Sequence, residues 1–269
     1  MHAPGPLPRR ADGLDVGGHI LVGIDDTPES LVAAAQAGAL RSPEGRLVLV
    51  AVAERYLAAH AGLAATQAEE HVAADTSDDL ARARALVDAD ESILRSGRLV
   101  PVLSAEGERR GATLLAVGMR PHRLLAAQVL RGHDVEALEE AACSVLIARP
   151  GWGPHKPERL VVAVDGSAES VAAEATARSL APRLDSELVP VLGLEDVAEP
   201  AVLRAERTDA VVASGPLVSA VTDVATAGSL VVVGDSRPHG RGASGLVRHV
   251  VFGVRCSVLV VRHDSAAPA

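Results

Sequence analysis

HILVGIDDTPES at positions 19–30 and RLVVAVDGSAES at 159–170 spell one pattern twice. In each, an apolar run ends on an acid, a short turn follows, and an Ala-rich stretch begins. The Thr27-Pro28 and Ser167 positions suit the start of a helix, with a hydroxyl cap and a proline in the first turn. Each half closes in the same way. LLAVG (114–118) leads through a loop to CSVLIARP (143–150), and LVVVG (230–234) leads to CSVLVVRH (256–263). A unit repeated over this distance predicts two similar domains.

The spacing between these anchors predicts the elements of the repeat. Strands are expected at 20–24 and 160–164, at 47–53 and 188–194, at 92–95 and 210–213, and at 114–117 and 230–233. Helices are expected at 29–40 and 168–180, with another opening near Pro101 and its counterpart Pro216. From Asp25 to Pro101 is 76 positions and from Asp165 to Pro216 is 51, so the first half carries 25 more. That surplus falls in 56–90, which is rich in Ala, Glu, Asp and Arg and reads as helix. Each half thus reads β-α-β-α-β-α-β-α-β. Alternation of this kind predicts an α/β fold: two tandem doubly wound sheets of five parallel strands, with helices on both faces. The expected divisions are a disordered tail over 1–17, a first domain over 18–150, a linker over 151–157 and a second domain over 158–264.

Composition supports this and excludes several functions. Among 269 residues, 48% are hydrophobic but only Tyr56, Trp152 and Phe252 are aromatic. The core must be aliphatic, as buried parallel strands require. A net charge of −9 argues against a nucleic-acid-coating face. No apolar run reaches the roughly 18 residues that span a bilayer. The first 18 residues lack an apolar central stretch, so no signal peptide is expected. Cys143 and Cys256 hold equivalent points of the two repeats and are expected to be reduced core residues. These features predict a cytoplasmic protein.

Ligands on open parallel sheets bind at the carboxyl ends of the strands, where strand order reverses. Those ends here are Asp25 and Asp165, then the loops after Val117 and Val233. A carboxylate at a strand end can accept from a ribose hydroxyl; it can also simply cap its own turn. The second of these loops holds Gly234, Gly240, Gly242, Ser244 and Gly245. Such glycines let amides approach phosphate oxygens. Positions 240–245 spell G-x-G-x-x-G, but a dinucleotide fingerprint belongs after the first strand, not the fourth. The first-half loop has Gly118 and Gly132 and shares Arg-Pro-His with the second. No P-loop, nucleophile elbow or metal-ligand spacing occurs, and no nucleophile with its base stands out. The pattern leans to binding rather than catalysis, with no metal site.

In order and spacing, these segments resemble the universal stress protein family in its tandem form, over 18–150 and 158–263. The resemblance implies five-stranded parallel sheets and, in many members, ATP or another adenine nucleotide. The family signature in the loop after strand four is G-x-x-G, nine residues, then G-[S/T]. Gly118 and Gly234 match its first glycine. Pro121 and Arg237 stand at the second, and Arg131-Gly132 and Ser244-Gly245 replace the final pair. Pro121 has no amide to donate. The family aspartate carries over to Asp25 and Asp165. The family's adenine position, near the end of strand two, carries over to Val52 and to Leu192-Gly193. The second half therefore has the fuller set: Asp165, Gly166, Ser167, Gly234, Gly240, Gly242, Ser244 and Gly245. The family's habit of pairing through the last strand implies an intramolecular pseudo-dimer through 145–148 and 258–261, with a homodimer left open.

Three functions compete on this reading. One is a nucleotide-binding stress regulator with at most slow ATP hydrolysis. Another is a scaffold that kept the fold and lost the site, with 56–90 as its protein-partner surface. The most distant is an enzyme with an adenine nucleotide alpha-hydrolase type of fold.

Overall fold

A computed structural model describes residues 13–25, 27–53, 65–119, 133–152, 156–193, 209–235 and 243–263. In the first half the order is β1 (His19–Ile24), α1 (Pro28–Leu40), β2 (Arg46–Ala53), α2 (Ala65–Leu86), β3 (Glu91–Ser96), α3 (Leu99–Arg110), β4 (Leu114–Gly118), α4 (His133–Glu140) and β5 (Ser144–Ala148). The second half follows with β6 (Arg159–Val164), α5 (Ala168–Leu184), β7 (Glu187–Gly193), β8 (Val211–Ala213), α6 (Leu217–Val224), β9 (Ser229–Asp235), α7 (Gly245–Gly253) and β10 (Ser257–Arg262).

The ten strands form one sheet in the order β3-β2-β1-β4-β5-β10-β9-β6-β7-β8. Every pairing within a half is parallel. The exception is the seam, where β5 and β10 run antiparallel and pair Val145 with Val260, Leu146 with Leu259, and Ile147 with Val258. The expected pseudo-dimer is therefore present. Each last strand covers the edge that the other would expose.

Strand alternation sends successive side chains to opposite faces. Leu21, Val48, Leu115, Val145, Val231 and Val258 belong to one core, under α3, α4, α6 and α7. Ile20, Leu47, Leu114, Leu146, Leu230 and Leu259 belong to the other, under α1, α2 and α5. Both cores run through both halves, so the halves share their apolar interior rather than merely touching. Pro190 sits inside β7, paired with Val162. Its missing amide does no harm, because β8 joins β7 only from Val191 onward and leaves Pro190 on an edge.

Polar contacts reinforce the seam. The Gln36 amide donates to the Arg149 carbonyl (2.9 Å), and Ser257 Oγ donates to Gln36 Oε1 (2.7 Å). Arg183, near the end of α5, donates to the carbonyls of Leu40 and Arg41, closing the C-terminus of α1. The tail expectation needs correcting at 13–17. Val16 is buried, and the Leu14 amide reaches Thr176 Oγ1 in α5 at 3.2 Å. Within the expected linker, Trp152 is buried in the second core.

Both cysteines are free. Burial pushes the Cys256 thiol up to about 11. The thiolate is the reactive form, so Cys256 is expected to resist iodoacetamide at pH 8 in the folded protein and to react once unfolded. Peptide mass mapping checks this; rapid modification of native protein would contradict the burial.

Candidate functional site

Strand order reverses between β1 and β4 in the first half and between β6 and β9 in the second. Asp25 and Gly118 stand at the first of these points, and Asp165, Gly166, Ser167 and Gly234 at the second. Asp25 follows β1, and its Oδ1 accepts from the Thr27 amide (3.0 Å) and from the Thr27 hydroxyl. Thr27 Oγ1 in turn accepts from the Ser30 amide (3.3 Å), which caps α1. The second half repeats this more openly. Asp165 Oδ1 accepts from Ser167 N (2.9 Å) and Ser167 Oγ (2.6 Å), and Ser167 Oγ accepts from Ser170 N (3.1 Å). Gly166 lies between them at φ 84°, a left-handed position that favours glycine. Each aspartate thus organises the start of its helix through one oxygen. Asp165 Oδ2 accepts no hydrogen bond among the described residues and stays available at a half-buried position.

The glycines at the ends of β4 and β9, Gly118 as the last residue and Gly234 as the last but one, press against these same helix starts. A Cβ on Gly118 would lie 2.3 Å from the Glu29 carbonyl carbon, and one on Gly234 would lie 2.1 Å from the Glu169 oxygen. Glycine is needed at both positions for backbone packing, whatever else it does. The contact also brings the end of β9 within a helical turn of Asp165 and Ser167.

At the far side of the second loop, Ser244 caps α7 by accepting from the Val247 amide (3.3 Å). Gly245 opens the helix with nothing within 4 Å of where a Cβ would stand. At the strand-two position, Val52 is buried in the core beneath α3. Gly193 packs so closely on α6 that a Cβ would lie 2.3 Å from the Leu217 amide nitrogen. Gly132, Gly240 and Gly242 lie outside the described residues, as do Pro121, Arg131 and Arg237.

One buried group at this site was not anticipated. Asp235, next to Gly234, is 1% exposed and pairs with Arg262 at the end of β10, 3.0 Å away. Its other oxygen accepts from the Ser244 amide (3.1 Å). The pair therefore fixes the start of α7 to the ends of two strands. Arg149 holds the position of Arg262 in the first half, and Met119 holds that of Asp235. The sequence carries a signal for this, since the closing segments CSVLIAR and CSVLVVR both place an arginine at the same point.

Among the described residues, no group of three or more His, Cys, Asp or Glu side chains is placed to hold a metal ion. No helix among them is long and apolar enough to cross a membrane.

Twin doubly wound sheets, each with an acid at the end of its first strand and a glycine wedged against the helix that follows, define a two-fold repeated α/β protein. The model of the universal stress protein family matches residues 18–149. The first half therefore carries the sequence of that family, and the second half repeats its fold. A universal stress protein from Archaeoglobus fulgidus DSM 4304 is similar along 93% of this chain and 98% of its own, with a TM-score of 0.72 and 14% identity. A functionally unknown protein from Pseudomonas aeruginosa PAO1 is similar along 93% and 94%, with a TM-score of 0.63 and 18% identity. A putative universal stress protein from Pseudomonas aeruginosa UCBPP-PA14 gives 0.62 over the same shares, also at 18%. At these identities the likeness is one of fold. No curated protein matches the sequence.

Proposed function

We propose that this chain is a stress-response regulator that holds an adenine nucleotide, ATP or a close relative, mainly in its second half, and does no chemistry on it beyond slow hydrolysis. The observation that carries this reading is the Asp165 cluster. Asp165, Ser167 and Gly234 meet where strand order reverses, and Asp165 keeps one carboxylate oxygen for an incoming hydroxyl. A ribose supplies such a hydroxyl, and the open start of α7 beyond Gly234 suits an anionic group. Two free cysteines fit a reducing compartment such as the cytoplasm.

Calorimetry with ATP on the purified chain tests the proposal. One binding event per chain is expected. A hydrogen bond to a charged group contributes about 1.5–3 kcal/mol, so Asp165→Asn should weaken affinity by roughly tenfold to a hundredfold. Asp25→Asn should weaken it far less. Absence of heat at high micromolar protein overturns the proposal.

A second reading, a scaffold without a nucleotide, is favoured by Asp235. Its carboxylate takes the Ser244 amide and sets a negative group at the start of α7, where a phosphate would be drawn. On that reading the partner surface is 56–90, of which α2 presents Asp75, Asp78, Arg82 and Arg84 to solvent. Ligand-free protein that ignores ATP but retains a partner through α2 would support it.

A further inference from the structure

We propose that Arg149 and Arg262 couple the strand ends of the two halves, so that a change at the end of strand four in either half is felt by the last helix of the other. Arg262 ends β10 and Arg149 directly follows β5, and each holds a group from its own half and another from the opposite half. Arg262 donates to Asp235 of the second half (3.0 Å) and to the Leu138 carbonyl in α4 of the first. Arg149 donates to Met119 Sδ of the first half and to the Val251 and Cys256 carbonyls of the second. The main chain repeats the exchange. The Arg149 amide donates to Ser257 Oγ (2.9 Å), and the Arg262 amide donates to Ser144 Oγ (3.2 Å).

These contacts form one series that crosses the seam twice. Met119 directly follows Gly118 at the end of β4. Arg149 connects it to Val251 in α7, and Ser244 at the start of α7 connects to Asp235. Arg262 then returns to Leu138 in α4 of the first half. Every link made by the two arginines is a buried polar contact, and the Ser244 link to Asp235 is partly buried. The side chains of Arg262 and Asp235 are 4% and 0% exposed, and Arg149 is buried as well. Buried charged groups cannot exchange partners for water at little cost. Moving one end therefore shifts the other instead of being absorbed by solvent, which is the physical condition for coupling between sites. The proposal rests on the site reading above only for what binds at the strand ends; the series of contacts is independent of it.

Hydrogen exchange on the full chain tests this. The Ala141 amide, which donates to Ala137 O (3.0 Å), reports the end of α4; the Val254 amide, which donates to Val250 O (3.1 Å), reports the end of α7. Asp235→Asn loosens Arg262 from its own half. It should speed exchange at Ala141, in the other half, by about tenfold, the scale set by losing one charged hydrogen bond. Met119→Ala should do the same at Val254. Arg262→Lys should speed Ala141 and abolish any further response to Asp235→Asn. If ATP binds, it should slow Ala141 in the parent chain and not in Arg262→Lys; if ATP does not bind, the other arms still decide. Acceleration confined to the substituted half overturns the proposal. So does uniform acceleration that includes the middle of α1, since that marks lost global stability rather than a route.

Discussion

Gly234→Ala is expected to unfold the second half or to cost more than about 4 kcal/mol, the range reserved for changes that the backbone cannot relieve. The added methyl carbon would lie 2.1 Å from the Glu169 oxygen, 2.3 Å from its carbonyl carbon and 2.9 Å from the Ser170 nitrogen. All three are main-chain atoms in the first turn of α5, so no rotamer change gives room. To accept alanine, β9 must separate from α5, and β9 lies between β6 and β10, buried at every residue but Gly234 itself. Gly118→Ala should behave alike, with its contact 2.3 Å from Glu29. Gly245→Ala is the control. Its Cβ meets nothing within 4 Å, and it opens a helix, so stability should stay within about 0.5 kcal/mol. Urea unfolding midpoints at constant slope measure all three. A Gly234→Ala chain within about 1 kcal/mol of the parent would show that strand and helix are not in the contact described.

The same glycine shows what the sequence made legible and what it did not. The repeat anchored by Asp25 and Asp165 specifies the succession of strands and helices along the chain and their parallel pairing, because those follow from local alternation and from anchors of fixed spacing. Pairing of 145–148 with 258–261 followed from the family resemblance. Gly118 and Gly234 were read as phosphate-approach glycines. Their packing against Glu29 and Glu169 is a contact between a strand end and the helix of a different βα unit, and no local pattern records it. Asp25 and Asp165 carried both readings, ligand acceptor and turn cap. The structure displays the capping bonds in full, since they span only two residues. Asp235 is 27 positions from Arg262, and Arg262 is 124 from Leu138. Such contacts are set by the sheet order, which brings the ends of β9 and β10 side by side, and they become visible only once that order is built. The N-terminal residues 13–17 teach the same point from the other side. A Pro-, Gly- and Arg-rich stretch reads as a tail, yet its last residues find a helix in the opposite half.

Asp235→Ala is expected to cost about 3–5 kcal/mol, the loss that follows when one member of a buried ion pair is removed and the other stays. The Arg262 side chain is 4% exposed and Asp235 is fully enclosed, so water cannot replace the carboxylate. The change also strips the Ser244 amide of its acceptor and loosens the start of α7. Two further variants separate charge from packing. Asp235→Asn keeps the volume and one acceptor, and should cost less than alanine. The double change Asp235→Met with Arg262→Met removes both charges and fills the space. It should recover most of the loss, because paired burial of two ions is seldom better than apolar packing of equal size. Thermal and urea unfolding of the four chains give the energies. Equal destabilisation by Asp235→Met/Arg262→Met and Asp235→Ala would mean that the arginine's bond to Leu138, rather than its ion pair, holds this corner. In that event the seam would be secured from the first half, through the Arg262 bond to Leu138.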